Sequence, residues 1–154
     1  MKIFLCIAVI FIIASLFYLY AYKYKERKTF YNDFDIFNKN LINEISFSQK
    51  TLINIVNDIN SKSNFNNFIK DYILNDLKKI NKIDFLNEDE NVFLESYASQ
   101  IGARDKETQL NYLKKVEIHL LEKIKICEEE YNKYFKTFIK IGFLVGLIAF
   151  IFLI

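Results

Sequence analysis

The 154-residue chain has no proline, no tryptophan, one histidine, two cysteines and three glycines. Each scarcity excludes something. Without proline nothing interrupts a long helix. His119, the one histidine, and two cysteines cannot supply a zinc ligand set. Cys6 lies in an apolar run and Cys127 on a helical stripe far along the chain, so both read as small buried hydrophobes rather than a disulfide framework. The glycines form neither GxxxxGK[ST] nor GxGxxG. No Ser-His-Asp order and no nucleophile elbow is visible. The expectation is a non-enzymatic protein with no cofactor, no metal and no small-molecule substrate. With 21 basic residues against 19 acidic ones the net charge is +2, which gives no reason to invoke nucleic acid.

What is present is apolar and helical. Residues 3–22 contain no charge. At about 1.5 Å per residue such a helix spans roughly 30 Å, the thickness of a bilayer core. Tyr18, Tyr20, Tyr22 and Tyr24 form an aromatic belt at its end. No small-x-small cleavage site precedes Lys23, so an uncleaved anchor is expected. A second apolar run, 137–154, reaches about 27 Å with Lys140 snorkelling toward headgroups. Gly142 and Gly146 form GxxxG, the spacing that lets another transmembrane helix approach closely. Lys23, Lys25, Arg27 and Lys28 follow the first run, and Lys133, Lys136 and Lys140 precede or enter the second. The positive-inside rule then puts the middle of the chain in the cytoplasm of a two-span protein of the cell membrane. The expected division is an anchor at 1–24, a cytoplasmic domain at 25–136 and a second transmembrane helix at 137–154.

Between the runs no alternating strand pattern persists, while helical spacings do. Phe34, Phe37, Leu41 and Ile45 recur at three and four. Leu52, Ile55, Val56 and Ile59 repeat the pattern. After a turn signal at 61–64, so do Phe65, Phe68, Ile69, Tyr72, Ile73, Leu77 and Ile80. Asn87 and Glu90 read as a capping box. The acids at 88–90 suit the helix dipole, and they lack EF-hand spacing. Val92, Phe93, Tyr97 and Ile101 mark a short helix ended by Gly102. A long last helix carries Leu113, Leu120, Ile124, Cys127, Tyr131, Tyr134 and Phe138, a heptad seam that packs either within the bundle or against another copy. The fold class is all-α: an antiparallel bundle of about five or six helices between two terminal transmembrane helices.

The densest polar run on this path is 99–109, SQIGARDKETQ. Gly102 suits a left-handed helix end and Asp105 can cap the amides of the next helix, which makes the pair a structural corner. Arg104, Lys106 and Gln109 are the candidates there for meeting a partner.

The same corner carries a family resemblance. Residues 101–109 fit the form LGxxDxxxQ that enters the last helix of stage III sporulation protein AB. His119-Leu120 resembles a His-Leu pair further along that helix. Residues 131–147 resemble the family's basic helix running into a glycine-bearing tail, and 41–47 its LxxEIxY stretch. The family usually has a proline soon after that stretch; this chain has none. The resemblance implies a platform subunit of the channel complex that joins mother cell and forespore. Its helical domain would be similar to those of type II secretion F and type IV pilus inner-membrane platform proteins. It would couple a secretion-type ATPase, stage III sporulation protein AA, to the other membrane proteins of the complex. The alternative is a membrane-anchored adaptor or sensor that self-associates as a homo-oligomer through its coiled-coil-like last helix.

Overall fold

The computed structural model describes residues 2–47, 50–58, 63–74, 82–103 and 105–153; the side chains of 2–7, 74, 152 and 153 are not described. The protein is all-α. Helix α1 (Lys2–Phe47) is followed by α2 (Leu52–Asn57), α3 (Asn64–Leu74), α4 (Glu88–Gln100) and α5 (Lys106–Glu130), then a single π turn (Tyr131–Phe135) and α6 (Lys136–Leu153). Neither glycine nor proline occurs between residues 2 and 47, so nothing in α1 favours a break. By internal contacts the chain forms two units: Met1–Lys28 with Ile126–Ile154, and Thr29–Lys125.

The second unit is built on an aromatic core. Phe34 stacks on Phe65 with ring centres 4.5 Å apart and meets the Tyr97 ring edge-on at the same distance. Phe30 and Phe37 close on Phe65 at 5.4 and 5.6 Å. Leu41, Val56, Ile69, Leu94, Leu113 and Leu120 are buried with them. Each such side chain contributes about 1.5–3 kcal/mol by leaving water. Helices α4 and α5 run antiparallel: Glu90 meets Lys123, Phe93 meets His119 at 4.7 Å, and Tyr97 meets Tyr112. Of the expected core positions, Val92 points outward at 57% exposure, while Leu94 is buried. The inward face of α4 is set by Glu90, Leu94, Tyr97, Ala98 and Ile101, and Val92 falls on the other side of that stripe. Ile59, Leu77 and Ile80 lie outside the described residues.

Local chemistry fixes the helix starts. The Ser63 hydroxyl accepts from the Asn66 amide at 3.3 Å and caps α3. Asn87 Oδ1 accepts from the Glu90 amide at 2.8 Å, and Glu90 Oε2 accepts from the Asn87 amide at 3.1 Å, which is the reciprocal capping box. Asn91 clamps the preceding loop. Its Oδ1 accepts from the Ile83 amide at 2.9 Å, and its Nδ2 donates to the carbonyls of Leu86 and Asn87 at 3.2 and 2.9 Å.

One polar hub lies inside this core. Asn38 is fully buried. Its Nδ2 donates to the Leu113 carbonyl at 3.0 Å, and its Oδ1 accepts from the Tyr97 hydroxyl at 3.2 Å. A single side chain of α1 thereby ties itself to α4 and α5. Both ends of the amide are satisfied, as burial demands.

In the first unit α1 pairs antiparallel with the C-terminal helix. Arg27 is bonded to Glu130, and Lys28 Nζ lies 2.9 Å from Glu128. Tyr24 stacks on Tyr134 and Tyr20 meets Phe138, both at 5.2 Å. Further along, the space a Cβ on Gly142 would occupy lies 2.7 Å from Phe17 Cβ, and one on Gly146 would lie 3.0 Å from Ile10 Cγ2. The strict heptad seam does not survive to this point. Continued past Phe138 it would bring Ile141 and Val145 to the contact, yet these are 39% and 38% exposed. The π turn adds one residue to the helix. The buried line then runs through Cys127, Phe135, Gly142 and Gly146, with Tyr134 left on its flank at 37% exposure.

Candidate functional site

The corner between α4 and α5 is a turn held from both sides. Ile101 has φ −68° and ψ 129°, Gly102 has φ 77°, and the Ala103 amide donates to the Gln100 carbonyl at 3.4 Å. These are the features of a type II turn, whose third residue requires positive φ. The requirement for glycine thus comes from the turn rather than from a left-handed helix cap alone. A Cβ on Gly102 would also lie 3.1 Å from Leu52 Cδ2.

Asp105 starts the next helix. Its Oδ2 accepts from the Thr108 amide at 3.0 Å. That bond, with a further one from the Thr108 side chain, lowers the carboxyl's pKa from its ordinary value. The free amides at the start of α5 are therefore already served by a carboxylate of this chain, and the corner is not built as an anion site.

The three candidate contact residues separate. Gln109 is only 3% exposed. Its Oε1 accepts from the Gly102 amide at 3.2 Å, so it braces the turn from inside and does not belong to the presented face. The LGxxDxxxQ spacing hides this, because Gln109 is four residues past Asp105 and thus one helical turn in, beneath the corner. Lys106 is exposed, and its Nζ reaches the Ser46 carbonyl at 3.3 Å. Arg104 lies outside the described residues.

A second grouping lies where α1 meets the π turn. Lys23 Nζ sits 4.8 Å from the Tyr20 ring centre and 5.2 Å from that of Tyr24. Lys25 lies 5.7 Å from the Tyr22 ring, Lys133 5.2 Å from Tyr134 and Lys136 5.9 Å from Tyr131. All four are exposed, and the distances suit ammonium groups held over ring faces. Arg27 and Lys28 differ from them in being ion-paired with Glu130 and Glu128. On one side of it the surface is apolar: Phe11, Ile12, Leu16, Leu19, Phe143, Leu144, Ile148 and Ile151 are each more than half exposed. His119 contacts Phe93 and Cys127 is buried. Among the described residues no three His, Cys, Asp or Glu side chains gather in a way that would hold a metal.

Fold and surface together define an all-α protein with two helices long and apolar enough to cross a membrane. It belongs to the stage III sporulation protein AB family, which matches residues 2–154. That membership fits a role in sporulation. No curated protein and no solved structure matches the chain.

Proposed function

We propose that this protein is a non-enzymatic membrane platform subunit of the sporulation channel between mother cell and forespore. It is anchored by α1 and α6, and its central helices lie in the mother-cell cytoplasm, where they couple a secretion-type ATPase to the other membrane proteins of the complex. The observation that carries this reading is the match to the sporulation family along essentially the whole chain. The basic residues flanking both apolar runs support the cytoplasmic side.

The adaptor reading loses ground on one point. It needs the seam of the last helix for self-association. Leu113, Leu120 and Cys127 on that seam are instead buried within a single chain. At the corner, Arg104 and Lys106 are the cations we assign to the ATPase contact.

The test is capture of the purified sporulation ATPase, protein AA, by the full chain in lipid nanodiscs. Saturable capture is expected. It should weaken at least several-fold in Arg104→Glu/Lys106→Glu while the thermal melt of that variant stays unchanged. No capture by a folded chain would overturn the coupling role. Undiminished capture by the double variant would remove the corner from the contact.

A further inference from the structure

Five lysines of the first unit stand apart from the other cations there. Lys23, Lys25, Lys133, Lys136 and Lys140 are all exposed, and none has a carboxylate within ion-pair distance among the described residues. Acids are nearby, but Glu128 and Glu130 are taken by Lys28 and Arg27. Four of the five lysines lie over tyrosine rings instead. The pairing of Tyr24 with Tyr134 and of Tyr20 with Phe138 sets residues 20–24 level with 134–138, so the lysines of both helices form one collar. Along the helix, 133 to 140 covers about 10 Å, comparable to the depth of a headgroup layer. One side of the collar borders the exposed apolar surface of α1 and α6.

A cation resting on a ring face retains most of its charge toward the outside, because the ring offers a quadrupole and no counter-charge. Tyrosine favours the same depth, with its ring in the apolar edge and its hydroxyl in the headgroups. The collar is thus an uncompensated cluster of positive charge at headgroup height. We infer that these five lysines, four of them held over tyrosines and all lacking carboxylate partners among the described residues, bind the phosphates of anionic phospholipid headgroups and give the protein a boundary shell enriched in those lipids. This rests on the membrane reading of α1 and α6 and adds to it a selectivity that anchoring alone does not require. The pattern differs from a general attraction between a basic protein and an acidic surface, since the whole chain carries only +2.

The experiment reconstitutes the full chain in phosphatidylcholine vesicles. Spin-labelled phosphatidylglycerol or spin-labelled phosphatidylcholine is added, and the motionally restricted fraction of each is measured by electron paramagnetic resonance. The association ratio of anionic over neutral lipid is expected to be about three- to ten-fold at low salt and to fall as salt screens the collar. Lys133→Gln/Lys136→Gln/Lys140→Gln should lower it at least two-fold. Lys114→Gln/Lys115→Gln/Lys125→Gln removes the same charge from the other unit and should leave it unchanged. A native ratio near one, with restricted lipid clearly present, would overturn the proposal while leaving membrane insertion intact. Equal loss in both triple variants would also overturn it, since net charge alone would then explain the preference. Absence of any restricted lipid of either kind would overturn the membrane reading itself.

Discussion

Tyr97→Phe deletes one oxygen from the centre of the second unit. Its hydroxyl donates to Asn38 Oδ1 at 3.2 Å in a place where both residues are fully buried. Phenylalanine fills the same space, so the packing against Phe34 and Phe37 remains. What changes is that Asn38 Oδ1 is left buried without a donor. An unsatisfied buried acceptor costs about 1–3 kcal/mol. For a chain of this size that is a melting temperature lower by roughly 2–4 °C per kcal/mol. Asn38→Leu strands the tyrosine hydroxyl instead and also removes the bond to the Leu113 carbonyl. Removing both partners at once strands neither, so the double variant should be less damaged than the sum of the two single ones. The expected coupling is about 1–2 kcal/mol, well above the few tenths that separate independent sites. Near-ultraviolet circular dichroism of the tyrosines, followed through thermal unfolding of the full chain in detergent micelles, reads it directly. Additive losses would refute the reasoning, because they would mean that the two side chains do not depend on each other.

Four further outcomes follow from the same structure. Burial pushes the Tyr97 hydroxyl well above its ordinary pKa of 10.0. The unfolded chain therefore gives up this proton first, and stability should fall as pH rises past 10, less steeply in Tyr97→Phe; parallel alkaline melts of the two would contradict this. Gly102→Val should lower the melting temperature by several degrees, since positive φ costs a non-glycine residue about 1–2 kcal/mol and a β-branched one more; an unchanged melt would remove the turn's demand for glycine. Asp105→Ala should melt lower than the native chain at neutral pH. Because the folded carboxyl has a lowered pKa, the cap is present above the ordinary carboxylate range and lost as pH falls through the folded value, so the two melts should converge in acid. Gly142→Leu places a side chain where a Cβ is already 2.7 Å from Phe17 Cβ. It should reduce disulfide formation between Tyr20→Cys and Phe138→Cys, in a chain with Cys6→Ser and Cys127→Ser, and undiminished cross-linking would show that the helices do not depend on this approach.

The all-α class was legible because the apolar spacings are helical and no proline or mid-helix glycine contradicts them before Gly102. Phe34, Phe37, Leu41, Ile55, Val56, Phe65, Ile69, Tyr97, Leu113 and Leu120 were expected inside, and the structure buries all of them. The start of α4 was readable from Asn87 and that of α3 from the turn signal at 61–64, because short polar side chains act within one turn of their own position. Features that depend on distant partners were not readable. Asn38 looks like any polar residue beside a stripe, and only the meeting of α1 with Tyr97 and Leu113 gives it a role. Gln109 looks like a surface residue until the turn folds over it. At the charged collar, composition supplied the lysines and tyrosines. It did not show that Arg27 and Lys28 would pair with Glu130 and Glu128 while the five lysines form no ion pair among the described residues.

The π turn at Tyr131–Phe135 has a consequence for which changes in chain length this helix tolerates. A loop absorbs the loss of a residue by redrawing its path, but a helix carries the loss forward as rotation. Deleting one residue from this turn would rotate everything beyond it by about 100°. Gly142 and Gly146 would swing away from Phe17 and Ile10, and bulky neighbours would arrive in their place. A deletion between 131 and 135 should therefore disable the pairing of the two apolar helices, and an insertion of one residue before Gly142 should restore it. The spare residue works as a phase correction: it lets one helix follow a heptad rhythm on one side and keep its glycines in step with α1 on the other.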